Sequence, residues 1–158
     1  MNDMIACRTL FNETKLIPRK KLRIRPSAYG IVIRDGQLLV AKTRTTASYI
    51  LPGGGIEKGE SNEEAVRREV CEETGVDVTV NAMVHFQTDF FYYDPLDLAL
   101  HGFLFYYTCT PHSEINQPPQ PEIEDVVSAH WVDIDTLTPE SFQTHGDVIV
   151  GLIQQKTV

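Results

Sequence analysis

Beyond Arg68 the chain is almost without positive charge: of its 14 lysines and arginines, only Lys156 lies further on. A polyanionic ligand bound by the second half would therefore need cations supplied by the first half or by solution. The net charge of -8 argues against a nucleic-acid polymer or an anionic membrane surface as partner, since both repel such a chain. Cysteine is scarce too. Cys7, Cys71 and Cys109 are an odd number, widely spaced and without a CxxC pair, which argues against a disulfide framework and a structural zinc site. No apolar run approaches the roughly 18 residues that a membrane span needs. The opening "MNDMIACRTLFNETK" has no basic lead followed by an apolar core, so no secretory signal and a cytoplasmic location are expected. There is no HExxH spacing, no GxSxG elbow and no paired Cys and His signature, which removes the usual zinc proteases and nucleophile-based hydrolases. The five histidines are accordingly expected as ordinary surface or core side chains.

At 158 residues the chain is long enough to bury about 70% of its unfolded surface as one domain. A single domain over 1–158 is expected, with the basic segment 1–25 part of it. "SAYGIVIRDGQLLVAKT" holds two alternating apolar runs joined by Asp35-Gly36, which predicts strands near 27–34 and 37–43 and a type I′ turn. Pro52 and three successive glycines then break the chain ahead of the next element. That element has both ends marked. Ser61 followed by Glu64 is a capping box and Gly75 a C-terminal stop, so a helix is expected over about 62–74. "VDVTVNAMVHFQ", "LALHGFLFYYTCT" and "VVSAHWVDI" read as strands, "PHSEINQPPQPEIED" as a loop, and the tail "GDVIVGLIQQK" as a closing helix opposed by its β-branched residues and Gly151.

The helix is crowded with acid. Positions 54–76 carry seven glutamates against three basic residues. The ordinary account is a solvated face with i,i+4 ion pairs. The geometry counts against it: at about 100° per residue, Glu72 and Glu73 fall roughly 60° and 40° to either side of Glu69, in the arc that also holds Ala65, Val66 and Val70. That arc is the only apolar one the helix can turn to a core, so the three carboxylates sit at a buried edge, where they repel unless something positive compensates. Arg68 flanks them and can pair with one. A hard divalent cation accounts for the rest, because Mg²⁺ takes carboxylate oxygens and shares its other positions with water and substrate phosphates.

Gly54, five residues, Glu60, seven residues and then "REVCEETGV" to Val76 resembles the Nudix box at every defined position. The box covers about a seventh of the chain, and the "LPGG" lead-in and flanking strands also resemble the family. The resemblance implies an α/β/α sandwich with a central mixed β-sheet. It implies hydrolysis of a nucleoside diphosphate linked to another moiety, a dinucleoside polyphosphate or a nucleoside triphosphate among the candidates, with Mg²⁺ as cofactor and Mn²⁺ able to substitute. Glu69, Glu72 and Glu73 match the family's metal-binding glutamates, Glu60 an outer or additional ligand, and Arg68 the arginine that orients a carboxylate. The general base is either a box glutamate, with Glu69 the choice, or an acid from a later loop, for which Glu122 and Glu124 are candidates; solvated loop acids are the commoner fate of such residues.

For the substrate, Lys42 and Arg44 share one face of their strand and, with Arg25, Arg23 and Arg34, are the cations available to phosphates, although exposed strand charges are the plainer reading. Tyr92 and Tyr93 are candidates to stack on a base, and their place resembles a tyrosine feature of dinucleoside-polyphosphate hydrolases in the family; core packing is the commoner fate of aromatics. "IPRKKLRIRP" is either a solvated arm or a contact in a homodimer. Two rivals stand beside the hydrolase: a nucleotide-sensing or protein-binding module, which would be expected to lose box carboxylates, and a prenyl-diphosphate isomerase, weakened because Cys71 points about 200° away from Glu69.

Overall fold

The computed structural model describes residues 3–116 and 126–156. Nine strands and two α-helices occur among them: β1 (Met4–Thr9), β2 (Thr14–Pro18), β3 (Arg23–Arg34), β4 (Gln37–Thr43), β5 (Tyr49–Ile50), β6 (Gly53–Gly55), α1 (Asn62–Thr74), β7 (Val78–Tyr93), β8 (Leu98–Pro111), β9 (Val126–Asp133) and α2 (Gly146–Lys156). The strands form one curled sheet in the order β2-β1-β7-β8-β3-β4-β5, with β6 paired to β3 and β9 to β4. β1 runs parallel to β7 and β3 parallel to β8, while the other pairs are antiparallel, so the sheet is mixed. The hairpin between β3 and β4 closes on Asp35 and Gly36, both at positive φ (51° and 75°), as a two-residue turn between twisted strands demands.

Side-chain alternation divides the core into two layers. Ala28 and Val32 of β3, with Leu39 of β4 and Tyr107 and Cys109 of β8, pack under Ala65, Val66 and Val70 of α1. Ile31, Leu38, Val40, Leu104 and Tyr106 turn the other way and pack under Ile149, Leu152 and Ile153 of α2. This period of two in the strands puts a helix on each face, the expected α/β/α sandwich with a central mixed sheet. Full burial of each such aliphatic side chain contributes on the order of 1.5–3 kcal/mol, which outweighs the weak helix propensity of the β-branched residues in α2. Gly30 sits where α1 comes nearest the sheet; an added Cβ would lie 2.9 Å from Val70 Cγ2. β7 extends well past the predicted segment, through "DFFYY" to Tyr93, and carries those aromatics on a paired strand.

Candidate active site

α1 occupies the expected span and is held by the expected ends. Ser61 Oγ accepts from Glu64 N at 3.1 Å, Glu64 Oε2 accepts from Ser61 N at 2.8 Å, and Gly75 closes the helix at φ 75° with its N–H donating to Cys71 O. Ala65, Val66 and Val70 are fully buried and fix the rotation of the helix about its axis. That rotation carries the carboxylates along in a graded series: Glu73 is 8% exposed, the Glu69 side chain 16%, and the Glu72 side chain 52%. Cys71 is exposed, as its place on the wheel requires.

All three glutamates open onto one cavity of about 540 Å³. Its polar part is made by Glu57, Arg68, Glu69, Glu72 and Glu73 with Gly53, Gly54 and Arg25; its apolar part by Tyr29, Leu51, Phe91, Leu100, Leu104 and Tyr106; Asp89, Gln143 and His145 line it elsewhere. The volume is within the range of small-molecule sites. Gly54 lets Glu69 lie against β6, since an added Cβ would stand 2.8 Å from Glu69 Oε1.

Arg68 ties the loop ahead of α1 to the helix. Its Nε and Nη2 donate to Glu60 Oε2 and Oε1 at 2.7 and 2.9 Å, Nη2 also donates to Gly55 O at 3.1 Å, and Nη1 donates to Glu69 Oε1 at 2.9 Å and Glu72 Oε2 at 3.3 Å. The hydrogen bonds from Arg68, followed by one from the Glu57 backbone N–H, hold the Glu60 carboxyl down to about 2, and those to Glu60 hold the Arg68 guanidinium well above its ordinary value. Tyr29 is pushed up chiefly by burial; Arg25 opposes this, and Asp89 and Glu73 add to it, so its hydroxyl feels acids from two sides of the cavity.

The donor set at the α1 wall is oxygen alone, with no thiol or imidazole, which suits a hard divalent cation such as Mg²⁺ or Mn²⁺. Among the described residues no three His, Cys, Asp or Glu side chains are gathered into a ready coordination shell, and two of the three helix carboxylates are drawn toward Arg68.

Several expectations meet at this cavity and others do not. Glu69, Glu72, Glu73, Arg68, Arg25 and Tyr93 line it. Glu60 does not; both its oxygens are engaged by Arg68, which makes it a brace for that guanidinium in this structure. Thr43, the last residue of β4, borders the cavity, but Lys42 before it and Arg44, which lies beyond the strand's end, do not, so the expected shared face of the two cations does not meet the cavity. Tyr92 is likewise on the wrong side of β7, buried with Cys7, Ile17 and Ala99 under the Lys15 ammonium and donating its hydroxyl to Asp97. Glu122 and Glu124 lie outside the described residues. Asp89 and His145 went unpredicted. The usable signal was Asp89 itself, an acid directly ahead of the aromatic run "FFYY" whose alternation sets it on the face of Phe91 and Tyr93.

A family model described as NUDIX domain matches residues 8–150. Among relatives, a putative 8-oxo-dGTP diphosphatase of Bacillus subtilis is 40% identical over 58 residues, 36% of this chain and 39% of that protein. An RNA pyrophosphohydrolase of Aeromonas hydrophila is 48% identical over 63 residues, 37% of this chain and 35% of that one. An ADP-ribose pyrophosphatase of Methanocaldococcus jannaschii is 40% identical over 58 residues, 35% and 34% of the two chains. In each case the match spans less than two fifths of the relative's own length. Among solved structures, an ADP-ribose pyrophosphatase from Streptococcus suis superposes with a TM-score of 0.64 at 17% identity, covering 84% of this chain and 91% of that one. A MutT protein from Methanosarcina mazei gives 0.65 at 16% identity, covering 87% and 97%. At such identities the likeness is one of fold.

Proposed function

Because the chain belongs to the Nudix family, we propose that it hydrolyses the pyrophosphate linkage of a nucleoside diphosphate joined to a further group, with Mg²⁺ as cofactor and Mn²⁺ able to replace it. The observation that carries this reading is the opening of Glu69, Glu72 and Glu73 onto the same cavity as Arg25, next to an apolar, aromatic lining of a size to hold a nucleoside. The activities for which the relatives are named agree on cleavage of a phosphate anhydride and disagree on the rest of the molecule.

When bound, the metal would neutralise the diphosphate and acidify the attacking water. The chain's own residues do the rest. Glu73 and Glu69, on the buried side of the helix face, and Glu72 at its rim provide the oxygen ligands. Arg68 fixes the rotamer of Glu69 through the 2.9 Å contact, and Glu60 and Gly55 O fix Arg68 in turn. Glu69 is the proposed base, taking the proton as water oxygen forms its bond to phosphorus and the bridging anhydride oxygen leaves with the bond electrons. Arg25 is the cation of the first half placed to hold a phosphate, its guanidinium lying against Gly55 with Nε 3.2 Å from an added Cβ there.

The test is incubation with Mg²⁺ and a panel of dinucleoside polyphosphates, nucleoside triphosphates, ADP-ribose and sugar nucleotides, with products resolved by chromatography. Turnover of at least one compound, stopped by chelation and by Glu73→Gln, is expected. No turnover of any would replace this reading with a nucleotide-sensing module on the same fold.

A further inference from the structure

Away from α1, three side chains from distant parts of the chain meet in one hydrogen-bonded line at the cavity. Asp89 Oδ2 on β7 accepts from His145 Nε2 at 2.8 Å, and Arg8 Nη2 on β1 stands 3.3 Å from His145 Nδ1 and 3.1 Å from Nε2. Asp89 takes its bond from a protonated Nε2, and because a guanidinium only donates, Arg8 can then bond only to the lone pair of Nδ1; its 3.1 Å approach to Nε2 is a contact between two donors and counts as no hydrogen bond. The backbone holds the ring in place: His145 sits at φ 56°, uncommon for a residue with a Cβ, and its carbonyl accepts Ile149 N at the start of α2.

The sheet makes room for the carboxylate. In the strand register Asp89 lies opposite Gly102 of β8, and Gly102 opposite Arg25 of β3. A Cβ at Gly102 would collide with Asp89 Oδ1, so the bare backbone there is what lets the carboxylate lean over β8. Oδ1 has no hydrogen-bond partner among the described residues, and the Asp89 and His145 side chains are only 18% and 16% exposed. None of the three belongs to the helix that bears the metal-binding carboxylates.

The geometry points to a nucleoside-reading site in which Asp89, oriented by His145 and Arg8, accepts through Oδ1 a hydrogen bond from an O–H or N–H group of the substrate's nucleoside portion. This rests on the reading that the substrate is a nucleotide whose phosphates lie at Arg25 and the α1 glutamates. A carboxylate accepts from sugar hydroxyls and base amines but repels phosphate oxygens, so it also sets which end of the substrate enters which end of the cavity. Phe91 and Tyr93, two and four residues along the same face of β7, supply the apolar surface against which sugar or base would rest. The hydroxyl of the ribose and the amine of the base share this chemistry, and the experiment separates them.

The full chain with Mg²⁺ is titrated by calorimetry with the four ribonucleoside 5′-monophosphates, and the tightest is compared with its 2′-deoxy, 3′-deoxy and de-amino forms. Removal of the group that faces Asp89 should weaken binding about tenfold or more, as loss of a hydrogen bond to a charged partner does. A penalty on a deoxy form names the ribose, and one on the de-amino form names the base; either supports the site. In Asp89→Asn the amide carbonyl can keep the His145 bond while an N–H replaces Oδ1, so the penalty should vanish or reverse. In Gly102→Ala, which retains Asp89 but displaces its oxygen, the penalty should shrink, with circular dichroism confirming the fold. An equal penalty in the wild type and both variants, no penalty from any deletion, or no binding by any monophosphate overturns the proposal. Turnover of the substrate panel is measured in parallel: hydrolysis without nucleoside discrimination sinks this site alone, and discrimination without hydrolysis sinks the enzymatic reading alone.

Discussion

Arg68 and Glu60 meet as a two-pronged pair, with both carboxylate oxygens on one guanidinium at 2.7 and 2.9 Å. A planar fork satisfies Glu60, Gly55 O and Glu69 together, and a lysine ammonium, with one nitrogen, cannot. Arg68→Lys is therefore expected to lower kcat by about 10–100-fold, the usual loss when an outer partner of a metal-binding side chain is removed, while leaving the fold intact. Steady-state kinetics beside far-ultraviolet circular dichroism checks this, and an unchanged kcat would remove Arg68 from its assigned role.

The same pair makes stability depend on acid pH. The folded-state Glu60 carboxyl is held at about 2, below its ordinary 4.5, so it contributes stability that is complete above the ordinary value and is lost as pH falls toward 2. Thermal melts between pH 5 and 2 should show Tm falling through this window in the wild type and falling less steeply in Glu60→Gln, which has no proton to take up. Parallel curves for the two proteins would mean that Glu60 is not perturbed.

How much of this was legible depended on how local each feature is. α1 could be read to the residue because its cap, stop and apolar arc all lie within 15 positions of one another. The strands could be found but not their facing: Lys42 and Tyr92 were assigned to the ligand because period-two alternation says which residues share a face and not which face meets the cavity. Arg8 and His145, 137 positions apart, are brought together only by pairing of β1 with β7 and by the seating of α2, and no spacing in the sequence encodes that. The two-pronged hold of Arg68 on Glu60 was likewise beyond reach, since a separation of eight positions gives no sign of which carboxylate the guanidinium takes.

Glu73 is the most buried of the helix carboxylates, so its burial is tolerable only with compensation at the site. Adding Mg²⁺ or Mn²⁺ should raise the Tm of the wild type in a concentration-dependent way, since an ion that binds only the folded chain stabilises it by mass action. In Glu73→Gln the shift should shrink sharply and turnover fall by about 10²-fold or more. A full metal-induced shift in the variant would place the ion elsewhere.

Among the cations of the first half, Arg25 borders the cavity and Lys42 and Arg44 do not. Arg25→Ala should raise KM about tenfold or more through loss of a charge-assisted phosphate contact. Lys42→Ala, whose ammonium lies 5.3 Å from the Tyr49 ring centroid, should leave kcat/KM within about twofold, apart from a small stability change. The reverse ranking would put the phosphates on the β4 side.

Two glycine substitutions should separate the demands of the site from those of the fold. At Gly54 an added methyl would stand 2.8 Å from Glu69 Oε1 and 3.0 Å from Cδ, so Glu69 must swing off β6 and away from the position Arg68 gives it. The obstructing atoms are the far end of a side chain, which can move, so Gly54→Ala should fold with little loss of stability and lose turnover by at least about tenfold. Gly151 lies inside α2 with nothing within 4 Å of an added Cβ, and there alanine removes unfolded-chain freedom and should stabilise by roughly 0.5–1 kcal/mol without changing kcat. Chemical denaturation and kinetics on the pair decide the matter. If Gly54→Ala keeps full turnover, the close lie of Glu69 along β6 is not needed for catalysis, and the part assigned to that carboxylate must pass to another group.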